Sequence, residues 1–161
     1  MALGDNTLRS AAGNSQRGRN PFMVQTTLNW ATALSDKGSA LAAADVVPVI
    51  AVPKGTMILN AGIEVDTATD GSTFTVDLGT GVDPDVFVDG FDATSAAAVV
   101  AQNPAVYQPV MAVADDNIDV TIASLSGGAV SSGKFRVWAV LMDCTDMGDT
   151  SADEVDRDTL A

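Results

Sequence analysis

The chain has 161 residues, 47% of them hydrophobic, and a formal net charge of −13, which suits one compact domain with short appendages and a buried core. It contains no histidine and a single cysteine, Cys144, which excludes Ser-His and Cys-His nucleophilic pairs, imidazole relays, His-ligated metals, internal disulfides and multi-thiolate zinc sites. So acidic a surface repels phosphate backbones and anionic bilayers, so neither nucleic acid nor a membrane is expected as a partner.

Residues 1–20 are rich in Gly, Ser, Asn, Ala and Arg and read as an extended arm ending at Pro21. They hold Arg9, Arg17 and Arg19 against Asp5, a net +2, whereas residues 38–161 hold four bases against nineteen acids, a net −15. A basic arm on an acidic body points to an interaction tail. The arm has no apolar h-region of a secretory signal, and no stretch approaches the ~20 apolar residues of a spanning helix, so a soluble protein is expected.

Strand signals follow at short intervals. Val24, Thr26, Leu28 and Trp30 share one face of a first strand. Residues 31–44 form a turn around Asp36-Lys37-Gly38 with a short helical piece. Val46–Val52 is an apolar run that Pro48 and Pro53 confine to an edge or a bulge. Over Thr56–Asp66, Met57, Leu59, Ala61, Ile63 and Val65 face one way. After the Asp70-Gly71-Ser72 turn, Phe74, Val76 and Leu78 point inward. Val86-Phe87-Val88 makes a brief strand in an Asp/Gly/Pro-rich loop. Residues 93–104 are the best helical candidate. Tyr107–Val113 is a strand interrupted by Pro109, and Ile118, Val120 and Ile122 alternate in the next. Residues 126–133 read as a hairpin-type connection. The last strand, Lys134–Asp143, is apolar on both faces, and an acidic segment ends the chain. Nineteen of the acids are Asp and two are Glu, a balance that favours turns over helices.

The expected fold is therefore all-β: an antiparallel β-sandwich or jelly roll of about seven or eight strands. The arm occupies 1–20, the sandwich 21–145 and the acidic tail 146–161. Because one face of the last strand must pack into the sandwich, the face bearing Trp138, Val140 and Met142 must meet the chain's own helix or loop or another subunit, and another subunit is the expected partner.

Carboxylates are the remaining candidates for chemistry. Asp83, Asp85 and Asp89 are weak candidates for a calcium site, but their spacing departs from the EF-hand pattern, and Asx-turns explain them as well. A two-carboxylate glycosidase would want aromatic sugar platforms, and aromatics are 5% of the chain. No enzyme activity, cofactor or metal is expected.

The stretches GTMILNAGIEVDTATDGSTFTVDLGTGVDPDVFVDGFD and MAVADDNIDVTIASLSGGAVSSGKFRVWAVLMD, spanning roughly residues 55–143, resemble capsid decoration (cement) proteins of tailed bacteriophages. The resemblance implies a virion structural protein, made in the host cytoplasm. It would trimerise on the outer surface of an icosahedral shell and clamp adjacent major capsid protein subunits. In that setting Arg9, Arg17, Arg19 and Phe22 would dock on the shell, and the strand holding Trp138 would build the homotrimer. The alternative is a tail-fibre or head-fibre domain that recognises host-surface glycans.

Overall fold

The structure is a computed structural model that describes residues 20–101, 109–127 and 130–144. In chain order its elements are β1 (Phe22–Asn29), α1 (Trp30–Lys37), β2 (Val46–Val52), β3 (Thr56–Thr67), β4 (Thr73–Thr80), β5 (Val88–Asp92), β6 (Val99–Ala101), β7 (Val110–Met111), β8 (Asp116–Ser126) and β9 (Lys134–Asp143). They form two antiparallel sheets: sheet A in the order β1-β9-β3-β6 with β7 also on β3, and sheet B in the order β2-β8-β4-β5. β1 runs beside β9, β2 beside β8, β3 beside β6 and β4 beside β5. The chain is thus one long hairpin whose successive steps fall in opposite sheets, which is the jelly-roll winding of an all-β sandwich.

Period-two alternation builds the core. Phe74, Val76 and Leu78 of β4 and Ile118, Val120 and Ile122 of β8 face Ile63 and Val65 of β3 and Phe135, Val137 and Ala139 of β9, all fully buried. Each large apolar side chain removed from water in this way contributes about 1.5–3 kcal/mol. Pro48 sits on β2, an edge strand of sheet B, beside a register shift between Pro48 and Ile50, where a missing N–H is tolerated.

Four local expectations are corrected. Trp30 does not continue β1 but opens α1. Asn29 caps that helix with its Oδ1 accepting from Ala31 N–H at 3.0 Å, and Gly38 closes it in a left-handed conformation at φ +68°. The indole still enters the core, edge-on to Phe74 and Phe135 with ring centroids 4.9 and 5.4 Å away. In β3 the register with β9 shifts between Ile58 and Asn60, so Met57 faces outward with Asn60 while Ile58 takes the core position. Residues 93–98 form turns rather than a helix. Ala97 has φ +61°, Ala97 N–H donates to Val65 O and Val65 N–H to Ala98 O, so β3 draws the segment on as β6. Finally, residues 126–133 are no hairpin, because β8 and β9 lie in different sheets and the connection crosses between them. Of the expected Tyr107–Val113 strand, residues 109–113 are described and pair only as the two-residue β7, with Ala112 and Val113 beyond its end, and Tyr107 lies outside the described residues.

The sandwich has two distinct ends. One carries α1 and the β3–β4, β5–β6 and β8–β9 connections. There Asp70 accepts from Ser131 Oγ at 2.6 Å and from the backbone N–H groups of Ser131 and Ser132 at 2.9 and 3.1 Å, which ties the two sheets together. The Ser131 bonds are the main cause that holds the Asp70 carboxyl down at about 2. Asp45 similarly accepts from Lys37 Nζ and from Ala42 N–H, and these bonds lower its carboxyl too. The opposite end carries the start of β1, the end of β9, and the β2–β3 and β4–β5 connections.

Candidate interaction surface

The two outer sheet faces differ in kind. Cross-strand register sorts the outer face of sheet A into rows. Met142, Met57 and Met111 lie side by side. Met23, Val140 and Asn60 form the next row, then Gln25, Trp138 and Gly62, and then Thr27, Arg136, Glu64 and Val99. Opposed residues in such rows have Cβ atoms ~5 Å apart and touch, so four methionines, two valines and a tryptophan make a nearly continuous apolar surface. Met23 and Val99 are 61% exposed, whereas Trp138, Val140 and Met142 are half-buried.

Trp138 is half-buried because of Gly62. A Cβ at that glycine would stand 2.4 Å from Trp138 Cζ2, so the indole occupies the space where Gly62 has no side chain. The charges of this face nearly cancel. Arg136 Nη1 donates to Glu64 Oε2 at 2.8 Å, and Lys134 lies at the start of β9.

Sheet B presents the opposite chemistry. Asp77 opposes Thr121, and Asp119 opposes Gly79 and Pro48. Burial pushes both carboxyls up, with Asp89 and Asp85 adding to the effect at Asp77 and Asp116 at Asp119. Thr75 and Ser124 share a hydrogen bond of 2.7 Å across the same face, and Gly90 N–H donates to Asp77 Oδ1 at 2.7 Å. Sheet A therefore offers an apolar, nearly uncharged face on a protein whose other sheet face is acidic.

Trp138, Val140 and Met142, singled out in the sequence, come together on this face. Register adds Met23, Met57, Met111 and Val99, which sequence reasoning did not select. A signal for Met23 existed, since it alternates with the inward Val24. Phe22 is 47% exposed at the start of β1, and Arg9, Arg17 and Arg19 lie outside the described residues. Ahead of β5, a hydrogen bond with Asp85, desolvation and the Asp85 charge together raise the Asp83 carboxyl, while Asp89, within β5, acts on Asp77. Among the described residues no three acidic or thiol side chains gather to hold a metal ion, so Asp83, Asp85 and Asp89 do not form a ligand set. Cys144 is buried, its N–H donating to Gly55 O at 2.8 Å.

No family model matches the chain, and no curated protein matches it. Its fold is similar to those of chains in three solved assemblies. One is the Cyanophage Pam1 capsid asymmetric unit, with a TM-score of 0.62 and 16% identity over 88% of this chain and 97% of that one. Another is the capsid of Ralstonia phage GP4, with a TM-score of 0.54 and 17% identity over 87% and 94%. The third is the acidic stable capsid structure of Helicobacter pylori bacteriophage KHP30, with a TM-score of 0.52 and 12% identity over 76% and 86%.

Proposed function

We propose that the chain is a non-enzymatic structural protein of a tailed-phage virion that binds the outer surface of the icosahedral shell as a homotrimer and cements adjacent major capsid protein subunits. The observation that carries this reading is the apolar outer face of sheet A. A molecule with a formal charge of −13 repels its own copies over most of its surface. Self-association is favoured only where acids are absent or paired, and the rows from Met142 to Arg136 are such a surface. A large exposed apolar patch marks an interface, and closed symmetry is the usual solution for identical copies. The fold likeness to chains of three phage capsids supports placing the assembly in a virion.

In this reading Trp138, Val140 and Met142 lie between subunits of the trimer, while Arg9, Arg17, Arg19 and Phe22 engage the shell. The glycan-binding alternative draws no support from residues 83–92, where no three acidic side chains gather, or from Trp138, whose ring packs against Gly62 of its own sheet. Co-sedimentation with capsids of the cognate phage tests the proposal. The full chain is expected to pellet with capsids at saturable occupancy, and a chain lacking residues 1–20 is expected to keep its oligomeric mass and lose binding. Retained binding at full occupancy would refute the role of the arm, and absence of binding by the full chain would refute the cement function.

A further inference from the structure

At the end of the sandwich where β1 begins and β9 stops, the two sheets part around a groove of about 450 Å³. Val52 and Ile58, both 1% exposed, line it at depth. Val82 and Val113, 86% and 77% exposed, stand at its mouth, and Asp115 and Asp116 form one side. The aspartates are fixed there: Asp115 Oδ1 accepts from Lys54 N–H at 2.9 Å, and Asp116 Oδ1 from Gly81 N–H at 3.3 Å and Asn117 N–H at 2.8 Å. An apolar floor beside paired carboxylates suits an apolar side chain followed by a base. The groove shares Met111 with the sheet A face described above, but its floor and its aspartates lie outside that face.

We propose that in the free protein the groove seats the chain's own N-terminal arm, with Leu8 on the apolar floor and Arg9 against Asp115 and Asp116. Geometry permits it. Phe22 opposes Leu141, and Leu141 opposes Ile58 of the groove, so the arm enters β1 two strand spacings away, ~10 Å. The eleven residue-to-residue steps from Asn20 back to Arg9 reach up to ~36 Å, several times that distance.

Charge selects the arm over the other chain end. The C-terminal segment also departs from this end, at Cys144, but residues 145–161 hold six acids and one arginine and are repelled by Asp115 and Asp116, whereas residues 1–20 carry a net +2. Lys54 is the base of the adjoining turn, and Asp83 and Asp85 of the neighbouring loop outweigh it. Tethering helps as well: a segment joined by a short linker acts at an effective concentration on the order of millimolar, so even a weak seat is filled. Release of the arm to a shell is the only part of this picture that rests on the function proposed above.

Limited trypsin digestion of the full chain, followed by mass spectrometry, tests the seat. The arm offers cleavage after Arg9, Arg17 and Arg19, so the two distal bonds serve as internal references. Proteolysis that is slow relative to opening reports the population of the open form. Cleavage after Arg9 is therefore expected to be at least about tenfold slower than after Arg17, a factor that means a seat occupied nine-tenths of the time. Replacing both mouth residues (Val82→Asn with Val113→Asn), which are too exposed for the fold to depend on them, should bring the Arg9 rate up to that of Arg17, and Leu8→Ser should do the same. Equal rates at Arg9 and Arg17 in the wild type, or protection that survives these changes, would overturn the proposal. So would protection that disappears on dilution to separate chains, since that result assigns the seat to another copy's arm. Capsids play no part in the experiment, so its failure leaves the cement function standing and its success does not establish it.

Discussion

Gly62 is the position where a single added methyl tests the outer face of sheet A most sharply. In Gly62→Ala the new Cβ would lie 2.4 and 2.6 Å from Trp138 Cζ2 and Cε2 and 2.8 Å from the carbonyl oxygen of Val100. Carbon atoms in contact settle at ~3.5–4.0 Å, so the indole must retreat by more than ~1 Å, and the β6 backbone must yield as well. Overpacking of this kind costs about 1–3 kcal/mol, and replacing glycine by alanine returns ~0.4–1 kcal/mol through the unfolded chain. The net expectation is a loss of about 1–2 kcal/mol, which in a domain of this size lowers Tm by ~2–8 °C. Thermal unfolding followed by circular dichroism and tryptophan fluorescence measures it. A double-mutant cycle with Trp138→Leu then separates the two obstacles. If the ring is the main one, Gly62→Ala adds no more than about 0.5 kcal/mol in the Trp138→Leu background. Gly62→Ala unfolding at the wild-type temperature would refute the claim that Trp138 lies across this glycine.

Trp30 is fully buried between Phe74 and Phe135, so Trp30→Ala should cost about 3–5 kcal/mol in urea denaturation, and a loss under ~1 kcal/mol would contradict its place in the core. Asp70, held at about 2 by the Ser131 and Ser132 donors, has a folded value below its unfolded one. Its contribution is therefore complete above ~4 and fades as pH falls toward 2. The Asp70→Ala variant should be less stable than wild type at pH 7, with the gap closing across that window, and a pH-independent gap would count against the clasp. Asp119 has the reverse sign: burial raises its carboxyl, so its ionisation opposes folding by an amount that grows as pH rises past the unfolded value and is complete above the folded one. Asp119→Asn should raise stability at pH 7 and give no such gain below ~pH 4, and equal or lower stability at pH 7 would refute the cost assigned to that charge.

The pattern of half-buried strands was plain in the sequence wherever a strand keeps one face wet. Phe74, Val76 and Leu78 alternate with polar residues, and so do Ile118, Val120 and Ile122, because side chains of a sandwich strand take turns facing core and water. The two-sided apolar run around Trp138 was equally legible as a face in need of cover. Other features depend on partners that one segment does not reveal. The Leu59 irregularity exists only relative to β9, and it moves Met57 from the core side to the outer face without altering the local alternation. Residues 93–104 hold alanines that favour a helix, yet the edge of β3 offers backbone partners to Val99 and Val100 and tertiary pairing prevails. The glycines and serines of 126–133 fit a hairpin or a crossing equally well, and which one forms is decided by the sheets of β8 and β9. Val82 is a lone valine in an irregular connection and Val113 read as the end of a strand, so the groove became visible only once the two segments were brought together.

The central claim is that the outer face of sheet A joins copies of this chain. Sedimentation equilibrium of the full-length protein tests it directly. The account predicts a species of about three times 16.4 kDa that reverts to the single-chain mass when Val140→Asp and Met142→Asp place unpaired charge in the middle of the apolar rows. A wild-type protein that sediments as one chain at every concentration up to its solubility limit, or a trimer indifferent to both substitutions, would contradict it.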